Sequence, residues 1–249
     1  MVQSPLEQFQ ILPIFSLGLG PIDISITNAM LTTILILGFS FLLLYSLSFY
    51  RLGLVPGRWQ LLFESLYTIT TGLVWDSIGQ RGQKYFPFIF VLFSFILMAN
   101  ISGLIPYTFT ITSHLIQTLV LAIMVFLGVI IICASTHGFH MLSLFLPGGT
   151  SLVLAFLLVP IELVSYIFKP LSLAVRLFAN IMAGHTLLKV IAGFAWAIIG
   201  SGGFLLIAHI LPLVVLIILF GLELAVALIQ AYVFTILTTI YINDAIVLH

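Results

Sequence analysis

Arg176 lies in Ser172-Leu-Ala-Val-Arg-Leu-Phe-Ala-Asn-Ile-Met-Ala-Gly-His185, an almost unbroken apolar segment. A guanidinium cannot shed its proton. Holding one near a bilayer centre costs from about 2.5–3.5 kcal/mol on insertion scales to more than 10 in simulations, so by default it marks a functional site. Titratable groups accompany it: Glu162 and His185 in the same stretch, then Glu223 and Asp244 in a later one. Carboxylates and histidines that exchange protons in apolar surroundings make a relay, whereas Arg176 cannot exchange and acts as a fixed positive barrier between relays.

Helical spacing arranges these groups. Glu162 and Arg176 differ by fourteen residues, which puts them on one face about 21 Å apart, too far for a salt bridge. Asn180 follows Arg176 by one turn on that face, where its amide can orient or hydrate the guanidinium. His185 points to the opposite side. In the later stretch Glu223 and Gln230 share a face at i, i+7, and Tyr241 with Asp244 forms an i, i+3 pair near the end of the chain.

Each group also has a plain structural reading. Arg176 could be a fold-stabilising cation paired with Glu223, but a buried ion pair adds little net stability over an apolar pair. Lys169 and Lys189 are expected to reach the interface by snorkelling. A lone His185 on an apolar helix can be a hydrogen-bonded core residue, and His114 and His209 are read as structural. Glu223 resists such a reading, because it stands in mid-helix with no cation at i±3 or i±4.

The elements that carry these residues must cross a membrane. The chain is 62% hydrophobic and 6% charged over 249 residues, with mean hydropathy +1.34, whereas a soluble domain carries about 25% charged residues. Seven basic and seven acidic residues give zero formal charge, so there is no basic face for nucleic acid and no polybasic tail for anionic lipid. The single Cys133 excludes an internal disulfide and a thiolate metal cluster. The stretch from Met1 to Asp23 lacks the pattern of a secretory signal peptide and the Arg-rich character of an imported mitochondrial presequence.

The fold expected is an all-α integral membrane protein forming one membrane domain over 1–249. After an N-terminal segment, 1–28, comes a first span at 29–50, near the 20 residues that cross a hydrocarbon core. Arg51, Arg58, Arg81 and Lys84 follow in one connecting region. By the positive-inside tendency that region faces the cytoplasm or matrix and the N-terminus lies on the opposite side. Within it, residues 58–76 repeat apolar positions at helical spacing, as in an amphipathic helix lying in the interface. Residues 85–133 read as a two-span hairpin that turns at Gly103, Pro106 and Thr108 to Ser113. The segment Ala134 to His140 reads as a linker. Its His137 and His140 lack the acidic or thiol neighbours of a metal site, and Pro147-Gly-Gly149 makes a break. Residues 150–246 are read as a hairpin of two long, steeply tilted helices, because their apolar runs exceed a perpendicular crossing. Pro170 should kink the first, and Gly200 to Gly203 should turn the chain.

The segment Leu173 to His185, together with Pro160-Ile-Glu162, Leu222-Glu-Leu-Ala-Val-Ala-Leu-Ile-Gln-Ala-Tyr-Val-Phe234 and Asp244, resembles subunit a of the F-type ATP synthases. The resemblance covers essentially the whole chain. His185 with Glu223, the short N-terminus and the closing Leu-His look like the mitochondrial, particularly the fungal, form. It implies a non-catalytic stator subunit in the mitochondrial inner membrane, with its N-terminus in the intermembrane space. It would pack against a rotating ring of c subunits, beside the peripheral stalk and other membrane-sector subunits. Arg176 would face the ring and force each arriving carboxylate to release its proton. Glu223 and His185, with Asp244 and Tyr241, would line the half-channel open to the intermembrane space. Glu162 would serve the matrix half-channel, and Asn180 and Gln230 would flank Arg176. No cofactor or metal is implied.

The competing class is a stand-alone ion channel or secondary transporter, which would favour inverted repeats, and the two halves of the chain show no internal similarity. A haem subunit would need facing histidines, with His185 and His209 the only candidates in the hairpin. A hydrolase lacks a base at helical spacing from Ser165, Ser172 or Ser201. No phosphate-cradling loop is present, so any ATP chemistry belongs to other subunits.

Overall fold

The structure is a computed structural model that describes residues 7–16, 18–19, 22–23, 25–49, 57–105, 108–138, 152–201 and 210–247. Tyr50, Arg51, Pro106, His140, Pro147 to Gly149, Gly202, Gly203, His209 and the closing Leu248 and His249 lie outside the described residues. Among the described residues six α-helices make up most of the structure: α1 Asn28–Phe49, α2 Arg58–Ile78, α3 Phe86–Leu104, α4 Leu115–His137, α5 Leu152–Ser201 and α6 Ile210–Ile246. Four helical stretches among the described residues are long and apolar enough to cross a membrane: Gln60–Leu104, Leu115–His137, Phe156–Gly200 and Ile210–Ile246. The fold is that of an all-α membrane protein.

Contacts divide the chain into two compact units. The first comprises Met1–Tyr45, Phe95–His114 and Leu177–Ala231; the second comprises Ser46–Ser94, Leu115–Arg176 and Tyr232–His249.

In the first unit the N-terminal segment forms short antiparallel pairs that the sequence reading did not anticipate. Strand β1, Pro13–Phe15, pairs with β4, Ile26–Thr27, and β2, Gly18–Leu19, pairs with β3, Ile22–Asp23. Asn28 fastens this segment to the start of α1. Its Oδ1 accepts from the Leu12 N–H at 3.2 Å and its Nδ2 donates to the Gln10 carbonyl at 3.0 Å. Thr27 caps α1 by accepting from the Met30 N–H.

In the second unit α2 ends at Gly79, whose φ of +70° suits glycine and whose N–H returns to the Trp75 carbonyl. A 3-10 turn over Gly79–Tyr85 carries Arg81 and Lys84 into α3. The core of this unit joins Val74, Ile89, Val129 and Cys133 to Ile242 and Ala245 of α6.

One boundary differs from expectation. Helix α4 continues to His137, through part of the anticipated linker, where the polar Ser135 and Thr136 are accommodated because their hydroxyls donate to the Ile132 carbonyl one turn back. Helix α5 runs fifty residues to Ser201 with Pro160 and Pro170 inside it, as far as the start of the Gly200 to Gly203 segment. An isolated Gly193 costs a helix only about 1 kcal/mol, and an apolar solvent leaves backbone groups no partner but the helix itself.

Candidate functional site

In the first unit, α5 presents Asn180, Gly184 and His185, and α6 presents Glu223 and Gln230. Thirty-eight residues separate His185 from Glu223 in sequence, yet Nδ1 of the imidazole lies 3.6 Å from Oε1 of the carboxylate. Glu223 is 4% exposed. Neither of its oxygens, nor His185 Nε2, has a hydrogen-bond partner among the described residues. Gly184 makes the approach possible, since a Cβ there would stand 2.7 Å from Glu223 Oε1.

These groups open on a cavity of about 200 Å³ whose walls include His185, Glu223, Gln8 and Phe9. Phe9 is buried and sets its ring edge-on to His185 with centroids 6.3 Å apart. A carboxyl group and an imidazole so placed around a space for water can hand a proton from one to the other. Asn100 of α3, almost fully buried, donates to the Ala227 carbonyl at 3.2 Å and holds α6 beside α3.

Asn180 was expected to attend the guanidinium one turn back. Its Nδ2 donates to Gln230 Oε1 at 2.9 Å, which gives the amide oxygen of the buried Gln230 a partner. His114, just outside α4, stacks on Phe109 with centroids 5.2 Å apart, and burial pushes its imidazole below the ordinary 6.5. The structural reading of His114 fits this packing.

The second unit holds a different cluster. Lys169 Nζ lies 3.7 Å from Asp244 Oδ2, and 5.3 Å and 5.1 Å from the ring centroids of Tyr166 and Tyr241. Lys169 therefore does not simply snorkel: it has a carboxylate and two aromatic faces as partners, which offset the cost of holding its charge there. Asp244 and Tyr241 are gathered around Lys169. Their end of α6 is packed by Ile242 and Ala245 against α2 and α3, and His137 Nε2 lies 3.0 Å from the Ile246 carbonyl. Glu162 is half-buried, two turns before Lys169 on α5.

Arg176 is exposed. Within its unit no carboxylate lies within ion-pair distance of it among the described residues. Leu171 and Val175 nearby on the helix are exposed as well, so the cation stands at an exposed position of a largely apolar helix. Phe9 and Asn100 were not singled out by sequence reasoning, and Lys169 was read there only as a snorkelling cation. For Asn100 a signal existed, a lone amide within a span; for Phe9 there was none, because its role depends on a fold of the N-terminal segment that no periodicity announces.

The family model described as "ATP synthase A chain" matches residues 28–243. ATP synthase subunit a of Pylaiella littoralis is 73% identical over 249 residues, covering 100% of both chains. That of Chondrus crispus is 50% identical over 251 residues, covering 100% of this chain and 98% of its own. That of Paramagnetospirillum magneticum is 46% identical over 250 residues, covering 99% of each. The sources of such relatives are algal, plant and bacterial, and the fungal likeness drawn from the sequence finds no support among them. With a family model spanning most of its length and relatives alike from end to end, the chain belongs to the ATP synthase A chain family.

Proposed function

We propose that the chain is the proton-translocating stator subunit of the ATP synthase membrane sector, acting as one membrane domain with two offset half-channels that Arg176 keeps apart. Family membership supports the coarse statement, a non-catalytic proton-channel subunit. The observation that supports the finer one is Arg176, a permanent cation exposed on a largely apolar helix, with no carboxylate partner among the described residues of its unit. A charge kept in that setting calls for an anionic group on another chain. A carboxylate borne by each subunit of a rotating c-ring fits, because facing Arg176 would favour its ionised form and release its proton. The remaining outer surface would meet the peripheral stalk, other membrane-sector subunits and lipid.

The two clusters divide between the half-channels. The N-terminal residues Gln8 and Phe9 border the His185–Glu223 cavity, and the positive-inside tendency of Arg51, Arg58, Arg81 and Lys84 assigns the N-terminus to the opposite side. In the mitochondrial inner membrane that side is the intermembrane space. Asp244 and Tyr241 lie in the unit that contains α2 and its basic turn, with Lys169 and Glu162. That association supports a matrix half-channel. Asn180 and Gln230, joined to each other, brace α5 and α6 beside the first half-channel. In this reading α2 lies in the interface and α5 and α6 run steeply tilted along the ring.

The test is ATP-driven acidification of vesicles carrying the intact complex, wild type against Arg176→Ala at equal assembled protein. Loss of pumping with assembly retained is the expected outcome. Undiminished pumping would reduce Arg176 to a structural cation and remove the reading.

A further inference from the structure

Thr110 belongs to the connection between α3 and α4, and its hydroxyl is buried with no hydrogen-bond partner among the described residues. A buried hydroxyl left unpaired is costly and is rarely tolerated unless water reaches it. Thr110 lines the same cavity of about 200 Å³ as His185 and Glu223, a space for several waters at roughly 30 Å³ each. Three other atoms around that cavity, His185 Nε2 and both Glu223 oxygens, are likewise buried without partners.

Gly103 ties Thr110 to His185. A Cβ at Gly103 would meet the Thr110 methyl at 2.8 Å and His185 Nε2 at 3.8 Å, so the bare α-carbon forms a floor on which both residues rest. The neighbouring Thr108 also lines the cavity, but its hydroxyl is committed to the Ser102 and Ile105 carbonyls. Among the described hydroxyls of the cavity wall, Thr110 is the one left without a partner.

From this geometry we propose that Thr110 is a relay residue of the half-channel, passing protons between water at the cavity mouth and water held by His185 and Glu223. The inference rests on the proton-translocation reading given above. In the step, Oγ1 gains a proton from a hydronium on the mouth side as its own O–H bond breaks toward a water on the inner side. One O–H bond forms, one breaks, and Thr110 is again neutral while the charge has advanced one position. Rotation of the hydroxyl resets it.

The experiment compares ATP-driven acidification by the intact complex for wild type, Thr110→Val, Thr110→Ser and Gly103→Ala at equal assembled protein. Thr110→Val keeps the shape and removes the hydroxyl; it is expected to slow pumping about five- to tenfold, the rate equivalent of one lost hydrogen bond. Thr110→Ser should pump at close to the wild-type rate. Gly103→Ala, which adds a methyl group to the floor in a residue type helices favour, should slow pumping comparably. Wild-type pumping by Thr110→Val overturns the relay, and so does an equal loss in Thr110→Ser, which would mark a packing role. Should Thr110→Val fail to assemble, wild-type pumping by Gly103→Ala overturns it. In each of these outcomes a loss of pumping in Arg176→Ala leaves the broader reading standing, so the two failures are separable.

Discussion

At the scale of single residues, Gly184 constrains the His185–Glu223 pair most tightly. Its missing side chain is where the Glu223 carboxylate lies, with Oε1, Cδ and Cγ at 2.7, 3.0 and 3.2 Å from an added Cβ. Alanine would therefore push the carboxylate off His185, although it suits the helix itself better than glycine. Gly184→Ala should leave helix content unchanged and lower proton pumping about tenfold or more, since a misplacement near 1 Å can cost up to about 100-fold. Measuring pumping and circular dichroism on the same assembled preparation separates the two effects, and normal pumping would show that the close approach is not used. The residue types of this site were legible in the sequence, because a carboxylate and a cation in apolar stretches have few bland explanations. Their pairing was not: His185 and Glu223 come from different helices, and spacing speaks only for neighbours on one element. Lys169 shows the same limit, since its partner Asp244 lies seventy-five residues away.

At the scale of elements, the long helices follow from composition, and their ends were the part that composition left open. Sequence reasoning treats Gly and Pro as punctuation, yet Pro160, Pro170 and Gly193 all sit inside α5. Hydroxyls in such helices find their partners on their own backbone, as Thr186 does at the Met182 carbonyl and Thr238 at that of Phe234, so they are carried in apolar surroundings without being left unpaired. What joins α5 to α6 in the first unit is polar and local: the Asn180–Gln230 bond and the His185–Glu223 approach. Cysteines replacing Asn180 and Gln230 should accordingly be joined by a short bifunctional thiol reagent. The only native thiol, Cys133, is buried, so background labelling should be low. After proteolysis in the 202–209 connection, the α5 and α6 fragments should migrate as one species; separate fragments at full thiol modification would refute this register between the helices.

For the whole molecule, the distribution of charge and the packing of the chain ends point the same way. The most apolar windows of α5 and α6 are only 11% buried by the chain itself, against 50% for Gln60–Leu104. Over those windows the two long helices therefore leave most residues to lipid or to other subunits. The basic residues Arg81 and Lys84 occupy the turn that leads into α3, in the unit that also contains the C-terminal end of α6. Gln8 belongs to the other unit and lines the His185–Glu223 cavity. If basic connections stay on the side from which the chain is inserted, Gln83 in that turn and Gln8 in the N-terminal segment must face opposite aqueous phases. Both side chains are exposed, so Gln83→Cys and Gln8→Cys should each react with a membrane-impermeant maleimide, from opposite sides of oriented inner-membrane vesicles. Gln83→Cys should label from the matrix side and Gln8→Cys from the intermembrane side. Labelling of both from one side would break the link between the N-terminal segment and the intermembrane half-channel. Complete reversal would keep the two clusters but exchange their half-channels, placing His185, Glu223 and Thr110 on the matrix path.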